Sequence, residues 1–156
     1  MENQRVKVLD GAVEVSLRAL CILYENRAPM TKDRIAAYDY FSLYSKDMNS
    51  SLDNLMSEIQ LHSTSYVGEI QTITKAISIL SSRDLITFEI SNGAVYYEIS
   101  EIGDSLVGSL SERNDYAQKL FKHIKVVKEF FNDFSEDQMS EFVKTHISNW
   151  SEEATI

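Results

Sequence analysis

The chain has little of several things, and each shortage removes a class of function. Its single cysteine, Cys21, rules out an internal disulfide and any zinc site built mainly from thiolates. One proline and five scattered glycines, Gly11, Gly68, Gly93, Gly103 and Gly108, leave no glycine-rich loop able to cradle a phosphate. Three histidines, His62, His123 and His146, have no partner at metal-ligand spacing, and no acidic calcium loop occurs. No serine stands in a Gly-x-Ser-x-Gly elbow, and His62-Ser63 is a sequence neighbour pair, not a triad. No apolar run is long enough for a signal peptide or a membrane span. The expectation is therefore a cytoplasmic protein, not an enzyme, with no cofactor, no metal site and no membrane partner.

What is present is ordinary for a folded chain. The 156 residues are 44% hydrophobic and 25% charged, enough for one compact core without a low-complexity tract or internal repeat. Apolar periodicity predicts a first helix over Val13 to Glu25, on which Leu17, Leu20, Cys21 and Tyr24 share a face, broken by Asn26 to Pro29. Thr31 is placed to cap a second helix reaching about Lys46, with Ala37, Phe41 and Tyr44 on one side. The segment from Asp47 to Ser65, rich in Ser, Asn and Asp, reads as a long connection with at most one short helix. A third helix, from about Tyr66 to Asp84, repeats Ile70, Ile73, Ile77 and Leu80 at core spacing.

Beyond Arg83-Asp84-Leu85 the period changes from 3.6 to 2. Ile86, Phe88 and Ile90 alternate with polar residues, as do Val95, Tyr97 and Ile99, around an Asn92-Gly93 pair suited to a type I′ turn. That loop sets Ile90 opposite Val95, Phe88 opposite Tyr97 and Ile86 opposite Ile99. Ser100 and Ser111 are placed to cap two further helices, the second striped by Leu120, Ile124, Val127, Phe131 and Phe134. Ser135-Glu136-Asp137-Gln138 has the pattern of a capping box opening a last helix with Met139, Val143, Ile147 and Trp150 on its apolar face. The expected fold is mainly α: a winged-helix core of three helices and a hairpin over 1–111, with a C-terminal helical extension over 112–156.

A winged helix commonly binds DNA, but the charge here opposes that use. The formal net charge is -9; residues 65–85 sum to zero, and residues 86–99 contribute -2 through Glu89 and Glu98. Duplex affinity comes largely from neutralising phosphates, so this pair of elements would be repelled where it should bind. The one basic run is Lys119, Lys122, His123, Lys125 and Lys128. At helical spacing these residues sweep around the helix, and a solvated face is favoured over a nucleic-acid or acidic-partner contact. A DNA-binding transcription regulator is the alternative reading. Tyr38, Tyr40, Phe41 and Tyr44, at helical spacing, point to core or protein interface before base stacking.

Several short motifs occur in a set order: Val13-Glu14-x-x-x-Arg18-Ala19-Leu20, Tyr38-Asp39-Tyr40, Ser45-x-Asp47, Leu61-His62, Gly68-Glu69, and Arg83-Asp84-Leu85-Ile86 before a hairpin containing Gly93. Together, over about residues 10 to 130, they resemble the middle component of bacterial ABC-three-component systems, which include the small middle subunit of Lamassu-type defence systems. The chain departs from that pattern at Ser63, where proline often follows Leu-His, and at Gln71 and Thr72, where arginines are common. The resemblance implies a non-catalytic adaptor joining an SMC-like or Rad50-like ABC ATPase to an effector, commonly a nuclease, in defence against phage or plasmids. It would meet DNA only indirectly, through the complex. Glu14, Arg18, Tyr38, Asp39, Tyr40, Tyr44, His62 and Glu69 are the candidate partner-interface residues, with Lys119, Lys122, Lys125 and Lys128 as a basic contact face. The aromatic end of the second helix with the linker through Ser65 is expected to meet one partner, and the C-terminal helices another.

Overall fold

The computed structural model describes residues 2–44, 62–111 and 115–154, with side chains at 11–44, 68–110 and 115–146. Its order is α1 (Glu2–Asn26), β1 (Met30–Thr31), α2 (Lys32–Leu43), α3 (His62–Ser82), β2 (Ile86–Ser91), β3 (Ala94–Ile99), α4 (Glu101–Ser111), α5 (Asp115–Phe131) and α6 (Glu136–Ala154). The mainly α class is as expected. The strands form one antiparallel sheet in the order β1-β3-β2.

Most boundaries follow from chemistry within a few residues. Arg27, at φ 56°, ends α1 in the left-handed region and its N–H donates to Leu23 O at 3.1 Å. Thr31 caps α2 by accepting from Arg34 N at 3.2 Å. At the end of α3, Leu85 N donates to Leu80 O at 3.0 Å and Asp84 N to Ser81 O at 3.1 Å, with Asp84 at φ 59°. This is a Schellman ending with aspartate where glycine is usual. Ser100 Oγ accepts from Gly103 N at 3.1 Å, and Ser135 and Gln138 exchange bonds of 2.8 and 3.1 Å as a capping box.

The hairpin adopts the expected register, with Ile86↔Ile99, Phe88↔Tyr97 and Ile90↔Val95, around Asn92 (φ 52°) and Gly93 (φ 80°). Other expectations are corrected. The first helix begins at Glu2, well before Val13, the second stops at Leu43 before Lys46, and the third begins at His62 before Tyr66. Polar residues can extend a helix whose apolar stripe lies elsewhere, so periodicity alone misplaces such ends. Strand β1 was unforeseen: two residues carry no pattern of their own, and Met30 and Thr31 become a strand only by pairing with Tyr97 and Tyr96. The connection from Asp47, its Ser45-x-Asp47 and Leu61 motif residues, and the side chains of Ser111, Ile147 and Trp150 lie outside the described residues.

One hydrophobic core runs through the molecule. It joins Leu20, Ile22, Ile35, Phe41, Ile73 and Leu80 to Leu120, Ile124, Val127, Phe131 and Met139, so it crosses the boundary expected between residues 111 and 112. Phe131 is the hub of the later helices, stacked on Tyr38 at 5.7 Å and in edge contact with Phe142 at 5.3 Å and Phe134 at 5.1 Å. Arg34 fastens this junction: it donates to Phe131 O at 2.8 Å and to Glu136 Oε1 at 3.1 Å, and Thr31 Oγ1 donates to Glu136 Oε2 at 2.9 Å.

Two glycines of α4 give a direct test of the packing. A Cβ at Gly103 would stand 2.3 Å from Leu85 O and 2.9 Å from Ile99 Cγ1, whereas one at Gly108 meets nothing within 4 Å. Gly103→Ala is expected to destabilise by about 2 kcal/mol or more, because backbone must move. Gly108→Ala, in a helix interior, is expected to stabilise by up to about 1 kcal/mol. Denaturant unfolding of both variants checks the contrast.

Candidate functional site

Four of the candidate residues, from three separate motifs, meet where α1, α2 and α3 pack. Arg18 on α1 makes a two-pronged contact with Asp39 on α2, from Nε to Oδ1 at 2.7 Å and from Nη2 to Oδ2 at 3.2 Å. Both groups are buried, Asp39 completely and Arg18 at 5% exposure, so neither is stable without the other. Burial disfavours the Arg18 cation, but the charge and hydrogen bonds of Asp39 outweigh it and raise the guanidinium above its ordinary value. Glu14, one turn earlier on α1, approaches Arg18 Nη1 at 3.5 Å and accepts from the Tyr116 hydroxyl of α5 at 3.1 Å.

Glu69 on α3 completes the group. Burial is the main reason its carboxyl is pushed from 4.5 up to about 10, aided by the Asp39 charge and a side-chain hydrogen bond to Asp39, while Arg18 acts the other way. It is therefore a neutral acid that can donate to the Asp39 carboxylate. Its Oε1 is buried and has no hydrogen-bond partner among the described residues. Beside this group lies a mostly apolar cavity of about 300 Å³, lined by Val13, Leu17, Cys21, Leu110, Leu120 and Phe121, with Glu14, Arg18 and Tyr116 at its polar side. Burial pushes the Cys21 thiol up to about 12, which leaves it protonated and unreactive.

The other candidates sit elsewhere. Tyr38 and Tyr40 are at 2% and 1% exposure, Tyr38 stacked on Phe131 and Tyr40 against Phe41 and Tyr44, so their rings face the core and offer no free surface to a partner. Helical spacing could not distinguish these two uses of an aromatic. Replacing Tyr40 would test folding before it tested docking. Tyr44 is half-buried, and His62 opens α3 with its side chain outside the described residues. Lys119, Lys122 and Lys125 are exposed on α5, and the half-buried Lys128 donates to Glu25 O at 3.1 Å, closing the end of α1. The tertiary contacts of Tyr116, Arg34 and Glu136 leave no signal in the sequence because the partners lie 102, 97 and 105 residues away.

Residues 8–153 match the family model described as the ABC-three component (ABC-3C) system Middle Component 2. The chain belongs to that family. No curated protein and no solved structure is significantly similar to it. Within this middle component, Glu14, Arg18, Asp39 and Glu69, drawn from three of the short motifs, form one polar group, buried at Arg18 and Asp39 and open to solvent at Glu14, that links three helices. Among the described residues no cluster of His, Cys, Asp or Glu could hold a metal ion, and no helix is long and apolar enough to cross a membrane.

Arg18→Met strands Asp39 in the core and is expected to cost about 3–5 kcal/mol in denaturant unfolding. Glu69 gives a pH test. The folded protein keeps a proton that the unfolded chain releases above about 4.5, so this stabilisation is full below that value and is lost as pH rises toward about 10. The melting temperature is expected to fall between pH 5 and 9, and Glu69→Gln to flatten that fall and exceed the wild type at the alkaline end. An equal slope in both proteins refutes the buried neutral acid.

Proposed function

We propose that this middle component is a non-catalytic adaptor, joining an SMC-like or Rad50-like ABC ATPase to a nuclease-like effector in a cytoplasmic Lamassu-type defence complex against phage or plasmids. Membership in the middle-component family is the observation that carries this reading. The geometry agrees with it: motif residues Arg18 and Asp39 are spent on a buried lock between helices, where they hold a shape and cannot reach a substrate. The hairpin over 86–99 carries no basic residue, and Phe88, Ile90, Glu89 and Glu98 reach solvent on it. Direct duplex readout by α3 and the hairpin is disfavoured by the same charges, so DNA is met through the assembled complex.

The test is assembly. Co-expressed with the ABC ATPase and effector genes that the adaptor reading expects beside its own, the tagged chain is expected to elute with both in one complex at physiological salt. Elution alone, with both neighbours folded and present, overturns the adaptor reading.

A further inference from the structure

The hairpin ends in a surface that the rest of the chain does not use. At its base Ile86 is buried, at 5% exposure, but toward the tip Phe88 and Ile90 stand 64% and 71% exposed on the same face, with Val95 beside them at 38%. β2 is also an outer strand, paired only with β3 among the described residues. The two-residue turn closes on Ser91↔Ala94, and hydrogen-bonded pairs alternate along an antiparallel ladder. The ladder to β3 thus takes the backbone groups of Thr87, Glu89 and Ser91, and those of Phe88 and Ile90 point out of the open edge. Outer strands normally carry charged residues, above all lysine, or proline or a bulge that hinders pairing; β2 has no lysine, proline or bulge, and its one charge is Glu89.

We propose that this edge receives an extended segment of a partner protein as a fourth strand, one whose residues alternate apolar and basic. The apolar positions follow from Phe88, Ile90 and Val95, which share the face a paired strand would extend. The basic positions follow from the opposite face, where Glu89 and Glu98 lie diagonally across the β2–β3 ladder without an ion pair among the described residues. A second copy fits badly, since pairing two β2 edges gathers Glu89 and Glu98 of both copies on one face and joins two chains of net charge -9. Nucleic acid is repelled by the same carboxylates.

The inference rests on the adaptor reading, because strand addition needs a partner chain, and its experiment separates the two. Amide hydrogen exchange is measured on the free chain and on its complex with the neighbouring ATPase and effector. In the free chain the Phe88 and Ile90 amides should exchange fast and those of Glu89 and Ser91 slowly; in the complex the first two should slow by about a hundredfold or more. Ile90→Pro removes an outward donor and leaves the β2–β3 ladder whole, as slow Glu89 and Ser91 amides would verify, and should weaken assembly at least about tenfold. A complex that forms with the Phe88 and Ile90 amides still fast, or equal binding by folded Ile90→Pro, overturns strand addition and leaves the adaptor reading standing. Absence of any complex overturns both. Protection that grows with concentration of the free chain alone shows self-pairing and overturns the proposed partner.

Discussion

The ion pair between Arg18 and Asp39 constrains everything around it. Two opposite charges with almost no access to water are tolerable only at hydrogen-bonding distance and in the right orientation, and a two-pronged guanidinium–carboxylate contact permits little rotation of either helix. Glu69 adds α3 to the same constraint, as a neutral acid sharing the Asp39 carboxylate. Apolar packing alone tolerates sliding of helices past one another, while a paired charge does not. The sheet inherits its position from this lock: α1 turns through Arg27 into β1, and α3, ending at Ser82, turns through Asp84 and Leu85 into β2.

A second region of the core fixes the C-terminal helices. Phe131 collects Tyr38, Phe41, Phe134 and Phe142 around itself, and Arg34 ties α2 to the α5–α6 corner through Phe131 O and Glu136. α5 and α6 therefore complete the core of the earlier helices instead of hanging from it as an appendage. That is also why the aromatic row of α2 faces inward: the surface it would otherwise show is the one α5 covers.

What could be read from the sequence follows the range of the interaction responsible. The Asn92-Gly93 turn, the Ser135–Gln138 box and the Thr31 and Ser100 caps depend on atoms within four residues, and the structure reproduces them. β1 could not be read, since its only reason to be a strand lies in Tyr96 and Tyr97. The polar group shows the limit most clearly. Family resemblance drew attention to Glu14, Arg18, Asp39 and Glu69, but only Glu14 and Arg18, one turn apart, could be matched by spacing. Arg18 and Asp39 are 21 residues apart, and the Tyr116 contact spans 102. Exposed partner contacts and buried locks use the same residue types, and burial alone tells them apart.

The consequence for function is a division of surfaces. Of the motif residues, Arg18, Tyr38, Asp39 and Tyr40 are inside, where they hold the shape, while Val13, Glu14, Arg83 and Asp84 reach solvent. On the hairpin the fold covers Ile86 and leaves Phe88 and Ile90 in water, although covering each would contribute about 1.5–3 kcal/mol. A chain that folds its described helices around one core yet leaves two large apolar side chains on the outer strand of its sheet has an apolar surface there that the fold does not cover. With Glu89 and Glu98 on the reverse face, the proposed fourth strand is apolar on one side and basic on the other, the chemistry of a protein strand and not of DNA.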